Sequence, residues 1–245
     1  MSFSSEWLAL REPYDHKARS RSILSRAMRW PMTKAVDLGA GTGSTLRALT
    51  PHIPAGTRWT LVDNSSDLLN ALPVEGERLE LDLSRELPPF GPECLVTASA
   101  FFDLVSEAWI ERLVPALDGA ALYSALDVDG RHEIAPAHDD DSWVFDGFRA
   151  HQTGTDKGFG VALGPAAHNR LERALASAGY TVFSAPSDWL VREKEMSAAL
   201  LGGIAEAAGA WHGDPGRAKR WLDERLAAVT LNVLVGHRDL FAIPP

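Results

Sequence analysis

Nine residues, Val36-Asp37-Leu38-Gly39-Ala40-Gly41-Thr42-Gly43-Ser44, limit what this chain can fold into more than any other segment. They follow Lys34 to Leu38, which reads as a short strand, and they open Ser44 to Leu49, which reads as a helix closed by Pro51. Glycines between a strand and a helix permit a tight turn, and they let a ligand approach the backbone where a Cβ would clash. Arg58 to Val62 predicts a second strand ending at Asp63. That acid falls about twenty residues beyond the loop, where a carboxylate hydrogen-bonds ribose hydroxyls in dinucleotide folds. The loop reads Gly39-x-Gly41-x-Gly43, which is not the G-x-G-x-x-G spacing of a pyrophosphate cradle. It is not a P-loop either, since no Gly-Lys-Ser/Thr follows.

The rest of the chain continues the alternation. Residues 4 to 29 read as helical, interrupted by Pro13 and ended by Pro31. Ser66 to Leu72 predicts a helix, Arg78 to Leu81 a third strand ending at Asp82, and Cys94 to Ala98 a fourth strand. Ala108 to Leu117 predicts a helix and Ala120 to Leu126 a fifth strand. Asp127 to Gly164 lacks clear periodicity apart from a short helix around Trp143 to Ala150, and connections this long are often functional. Pro165 opens a helix that Gly179 stops. Tyr180 to Phe183 then reads as a strand, Glu193 to Ala208 and Gly216 to Val229 as helices, and Asp239 to Ile243 as a last strand. Apolar strands alternating with helices give a parallel sheet covered on both faces, and right-handed crossovers make it doubly wound.

At 245 residues the chain suits one α/β domain with a sizeable core. The net charge of -9 argues against a broad nucleic-acid footprint, which needs clustered Lys and Arg. The first segment is nevertheless basic, with Arg11, Lys17, Arg19, Arg21, Arg26, Arg29 and Lys34; it reads as a solvated helix face, or else as an anion- or RNA-contacting arm. Cys94 is the one cysteine, so no disulfide framework or cysteine-rich zinc site forms within a chain. Met1 to Leu10 has no signal-peptide pattern and no apolar run spans a membrane, so a cytoplasmic location is expected.

The segment Val36 to Gly43 resembles the glycine-rich motif of class I S-adenosylmethionine (SAM)-dependent methyltransferases. Asp63 is similar to that family's acidic residue ending the second strand, and Asp82 to the residue after the third strand that contacts the adenine edge. The resemblance covers roughly residues 34 to 126. It implies a mostly parallel, seven-stranded Rossmann-like sheet with helices on both faces and an antiparallel strand near the C-terminus. One domain over 1–245 is expected: a helical arm at 1–30, the core at 34–190, a helical insertion at 193–235 and the last strand within 236–245. The family joins its last two strands closely, so the insertion suggests a cap over the pocket or an interface, in a monomer or homodimer. The implied cofactor is SAM, with S-adenosylhomocysteine (SAH) as product. The residues expected to hold it are Asp37, Gly39, Ala40, Gly41, Gly43, Asp63, Asn64, Asp82, Leu83 and Ser99, with Tyr14 or Arg19 of the N-terminal arm at its carboxylate.

SAM carries its methyl on a sulfonium, so much of the activation belongs to the cofactor. The protein holds the acceptor in line, and a base is needed only where the acceptor carries a proton at attack. The acceptor site is expected beyond the carboxyl ends of the strands, in Ser99 to Ser106 and Asp127 to Phe159. Among Asp103, His132, His138, His151, Asp156 and Lys157, the catalytic candidates are Asp103 and His151. His138-Asp139-Asp140-Asp141 reads as a solvated acidic loop rather than a metal site, because consecutive residues rarely converge on one ion. No Asn-Pro-Pro-Tyr-like segment follows the fourth strand, which disfavours methylation of bases or glutamine amides by that route. The expected reaction is methyl transfer to oxygen or nitrogen of a small molecule. An RNA or protein acceptor, or a SAM/SAH-binding protein without transferase activity, stands as an alternative.

Overall fold

The computed structural model describes residues 4–72 and 76–245. The arm expected over residues 1–30 is therefore described from Ser4, whose hydroxyl accepts a hydrogen bond from Trp7 N and caps the first helix. The elements are α1 (Ser5–Ala18), α2 (Arg21–Ala27), β1 (Lys34–Leu38), α3 (Ser44–Leu49), β2 (Arg58–Asp63), α4 (Ser66–Asn70), β3 (Glu77–Glu80) and β4 (Cys94–Ser99). Then come α5 (Glu107–Ala116), β5 (Ala121–Ala135), α6 (Asp141–Gly154), α7 (Ala167–Ser177), β6 (Thr181–Pro186), β7 (Trp189–Val191), α8 (Lys194–His212), α9 (Pro215–Leu226) and β8 (Asn232–Ile243).

The strands form one sheet in the order β3-β2-β1-β4-β5-β8-β6, with β7 also paired to β8. The pairs among β1 to β5 are parallel, and β8 runs antiparallel to β5, β6 and β7. Among the described residues the sheet therefore has eight strands rather than the expected seven. The additional one is β7, whose three residues are too few to show an alternating pattern.

Alternation along the strands feeds two cores. Ala35 of β1 with Ala121 and Tyr123 of β5 packs into one layer, under α2, α3 and the later helices. Val36, Leu38 and Leu122 pack into the other, against α5 and α7. This is the period-two geometry of a sheet covered on both faces.

Two departures from the sequence reading shape the region above the strand ends. First, β5 does not stop at Leu126 but runs to Ala135. Leu126 takes a left-handed φ of 61°, and the register against β8 shifts between Ser124 and Asp127. The bulge turns the strand and lets it continue past the sheet edge, paired with an equally extended β8. Second, the helical stretch after β7 does not stand alone. Gly147 of α6 lies so close to α8 that a Cβ there would meet His212 at 2.5 Å and the Ala208 backbone at 3.1 Å. The Trp143 and His212 rings stack at 4.4 Å, and the Arg217 guanidinium of α9 sits 4.5 Å over Trp143. The insertion after β5 and the insertion after β7 thus close on each other as a three-helix unit.

The acidic run at 138–141 serves that unit. Asp140 pairs with Arg217 at 2.5 Å, and Asp141 accepts from Trp221 Nε1 at 2.9 Å and pairs with the buried Arg225. It is a docking point for α9, not the solvated loop expected. Among the described residues, no three His, Cys, Asp or Glu side chains are grouped to hold a metal ion, and no helix is long and apolar enough to cross a membrane.

Candidate functional site

The carboxyl ends of β1, β2 and β4 open into a cleft of about 290 Å³. Its floor is the glycine loop. Gly39 and Gly41 have φ of 65° and 53°, which L side chains rarely adopt. A Cβ on Gly39 would also meet the Phe101 ring at 2.8 Å, so this position admits no side chain. Ala40 N donates to Val62 O at 2.9 Å, and Gly43, at φ 79°, starts α3. The loop is therefore held open by its own backbone conformation and by the end of β2.

Of the residues expected at the cofactor, Gly39, Ala40, Gly41, Asp63, Asn64, Asp82, Leu83 and Ser99 line the cleft. Asp63 braces the loop, accepting from Gly41 N at 2.9 Å and Ser65 N at 3.0 Å. A carboxylate offers about four lone-pair sites, which leaves room for ligand hydroxyls. Asp82 accepts from the amide and hydroxyl of Ser84, contacts that hold its carboxyl below the usual range. The Leu83 carbonyl accepts from Trp109 Nε1 at 2.7 Å and Arg112 at 2.8 Å, fixing that wall to α5.

Asp37 and Arg19 are buried in the polar layer adjoining this floor. Thr97 Oγ1 donates to Asp37 Oδ1 at 2.7 Å, while Asp37 Oδ2 is buried without a partner. Burial pushes this carboxyl up to about 7, opposed by the Thr97 bond and the Arg19 charge. Arg19 donates to Ser99 Oγ at 3.0 Å and Tyr123 Oη at 3.4 Å, and its Nε is likewise unpartnered. Thr45 Oγ1 donates to the same Ser99 hydroxyl at 3.0 Å, so Ser99 joins the cleft wall to the buried layer. Tyr14 lies elsewhere: its hydroxyl donates to Glu193 at 2.6 Å, and its ring stands 6.4 Å from Trp189. That places it between α1 and the start of α8, outside the residues lining the cleft.

Helix α1 covers the cleft with one face. Leu8, Arg11 and Asp15 line it, a spacing that puts them on one side of a helix. Glu12, on the neighbouring side, takes a two-pronged ion pair from Arg47 of α3 at 2.6 and 2.5 Å. The basic arm is consequently a solvated face only in part: Arg11 points into the cleft and Arg19 is buried.

Of the two catalytic candidates, Asp103 stands in the 3-10 turn after β4; Phe101 and Leu104 of the same segment line the cleft, and Asp103 itself does not. Its Oδ1 is buried and unpartnered, and burial together with the Asp127 charge pushes it up to about 6. His151 lies in the last turn of α6, outside the lining, where burial and the Lys157 charge lower it. His132 stacks on Phe145 at 5.1 Å, and burial pushes it down to about 4. His138 bonds Glu224. Lys157 and Phe159, from the connection after α6, also line the cleft. The glycines around Phe159 were the available sequence signal for that loop, but nothing local ties them to β4.

No protein-family model matches the chain, and no curated protein does. Solved structures do. A Bacillus halodurans protein assigned as a methyltransferase superposes with a TM-score of 0.54 at 13% identity, over 91% of this chain and 98% of that one. A cyclopropane-fatty-acyl-phospholipid synthase-like protein from Lactobacillus casei gives 0.51 at 14%, over 94% and 98%. The plantazolicin methyltransferase BpumL, solved with a pentazolic desmethylPZN analogue and SAH, gives 0.50 at 12%, over 98% and 89%. With this sheet order and its antiparallel β8, the chain has the Rossmann-like fold of the class I SAM-dependent methyltransferases.

Proposed function

We propose that the protein is a SAM-dependent methyltransferase acting on an oxygen or nitrogen atom of a small molecule. The observation that carries this reading is the cleft itself, a glycine floor walled by Asp63 with an unsatisfied buried carboxylate and guanidinium nearby. Those two orphaned atoms fit the cofactor, whose methionine end brings an ammonium and a carboxylate. Asp37 would face the former, and Arg19, through Ser99 or directly, the latter. Asp63 and Asn64 would hold the ribose, and Asp82 and Leu83 the adenine edge. Bound there, SAM supplies an electrophilic methyl whose carbon–sulfur bond breaks with both electrons left on sulfur, giving SAH.

The chain's own part is positional and protonic. Gly39 and Gly41 present backbone rather than side chains. Leu8, Arg11 and Asp15 of α1 close the cleft from above and exclude water. Asp103, poised near neutrality beside the cleft, takes a proton from an acceptor that carries one. His151 stands outside the lining and has no part in this reading. The enclosure by α1 favours a small acceptor, and the inward turn of Arg11 and Arg19 removes two of the charges an RNA-binding arm would use.

Calorimetric titration with SAM, SAH and NAD tests the reading. Binding of SAM and SAH without NAD is expected; a folded protein that binds neither adenosyl compound would overturn it.

A further inference from the structure

Arg19, between α1 and α2, is a cation buried without a counter-charge in contact. It is 5% exposed, and its guanidinium bonds two neutral hydroxyls, Ser99 Oγ at 3.0 Å and Tyr123 Oη at 3.4 Å. Among the described residues no carboxylate bonds it, and its Nε has no partner at all. A charge buried in this way is costly, and an anion brought to it relieves the cost. Ser99 shows where that anion arrives. A serine hydroxyl accepts through two lone pairs and donates one proton. Arg19 Nη2 and Thr45 Oγ1 both donate to Ser99 Oγ, each at 3.0 Å, which leaves the serine proton without an acceptor among the described residues. Ser99 lines the cleft, so this donor, backed by the Arg19 charge, is offered to a ligand.

What holds Arg19 comes from the far end of the chain. Asp239 of β8 is wholly buried. Its Oδ1 accepts from Leu126 N at 2.9 Å, at the bulge of β5, and its Oδ2 accepts from Ser20 N at 2.8 Å and Tyr123 Oη at 3.4 Å. Backbone amides from two segments thus bind both oxygens, which keeps the carboxylate from swinging to the guanidinium. Its influence reaches Arg19 by two routes instead. Ser20 is the next residue, so the bond to its amide fixes the backbone from which the Arg19 side chain leaves. Tyr123 relays the charge, because its hydroxyl donates to Asp239 and accepts from Arg19 Nη1. The Tyr123 ring also stands 5.9 Å from the guanidinium carbon. An arginine fixed at its base and at its head has little freedom left to lose when a ligand binds.

We propose that Tyr123 and Asp239 are positioning residues for the amino-acid end of the cofactor, an inference that rests on the methyltransferase reading. They set Arg19 against Ser99 so that the Ser99 hydroxyl donates to the cofactor carboxylate with the guanidinium charge behind it. Both are fully buried and outside the cleft lining, so they act through Arg19 and touch no ligand themselves. Loss of the Tyr123 hydroxyl frees the head of Arg19 while the ring stays in the core. The adenosine end, at Asp63, Asn64, Asp82 and Leu83, does not depend on that hydroxyl.

Two probes separate the ends of the site: SAH, and methylthioadenosine, which keeps the adenosine and the thioether but lacks the amino-acid end. Calorimetric titration of Tyr123→Phe should show SAH weakened roughly three- to tenfold, the size of one hydrogen bond, with methylthioadenosine unchanged. Asp239→Asn, shown to be folded by circular dichroism, should shift the two affinities in the same unequal way. In an Arg19→Met background Tyr123→Phe should have no further effect on SAH, since its action passes through Arg19. If Tyr123→Phe binds SAH as the parent does, loses both probes in equal measure, or acts undiminished without Arg19, the positioning role is overturned and the methyltransferase reading stands. Failure of the parent protein to bind SAH overturns both.

Discussion

Asp37 shows how one residue carries both a cost and a use. Its place on the central strand β1 puts it among apolar neighbours, and its second oxygen has no partner. The folded value of about 7 lies above the ordinary 3.8, so the folded state holds a proton that the unfolded chain has lost. Stability therefore falls as pH rises from about 4 to about 7 and is level beyond that. Thermal melts of the ligand-free protein should show this decline, and Asp37→Asn should flatten it; a slope identical in the two proteins would refute the assignment. A ligand ammonium beside Asp37 favours the ionised form, and so SAH affinity should climb with pH over the same window. Asp63 gives a second expectation at this scale. Asp63→Ala should cost about 1.5 to 3 kcal/mol of SAM binding, the worth of hydrogen bonds to a charged group. Calorimetry on a variant shown to be folded by circular dichroism measures it, and unchanged affinity counts against the ribose role.

Among the helices, α6 and α8 approach closely at Gly147. Gly147 makes this possible, since His212 fills the space a side chain would take. His212 cannot easily withdraw: its Nε2 donates to Trp143 O at 3.0 Å and its ring stacks on Trp143. Gly147→Ala should therefore destabilise by roughly 1 to 3 kcal/mol, as overpacking does, despite a better helix former. Denaturant titration checks the loss, with SAH affinity expected to stay as it was because the contact is remote from the glycine loop. Helix α1 carries its tertiary load differently. Pro13 deprives it of one internal hydrogen bond. Outside contacts compensate, with Trp7 and Tyr14 against Trp189 and with Glu12 paired to Arg47. An element held by its surroundings rather than by itself suits a cover over a cleft.

For the whole molecule, the informative change is at the seam between the two insertions. Arg225 is 2% exposed and bonds Asp141 and the Pro136 carbonyl. Arg225→Ala removes the charge partner of Asp141, which keeps only its bonds from Trp221 Nε1 and His138 N, and takes a donor from the Pro136 carbonyl. The loss is roughly 3 kcal/mol for a pair with one partner this buried. A fall in melting temperature of several degrees is expected, and one within error of the parent would show that the seam is solvated.

The sheet order through β5, the glycine loop and the acids ending the second and third strands were legible because their causes are local. A glycine declares a positive φ, a two-residue period declares a strand face, and both lie within a few neighbours of the residue concerned. The eight cofactor residues that line the cleft follow from that, since a loop between β1 and α3 always faces the carboxyl ends of its neighbours. What tertiary structure alone decided has no local cause. β7 exists only because an extended β8 offers it an edge, and β5 outruns its apolar stretch only through the bulge at Leu126. The burial of Arg19 beside Ser99 depends on a partner 80 residues away. Lys157 and Phe159 reach the cleft because a ring contact, Phe159 on Phe101, closes a loop that sequence pattern leaves open. Periodicity and turn chemistry are written in adjacent residues, whereas the pairing of distant polar groups is fixed only when packing brings them out of water together.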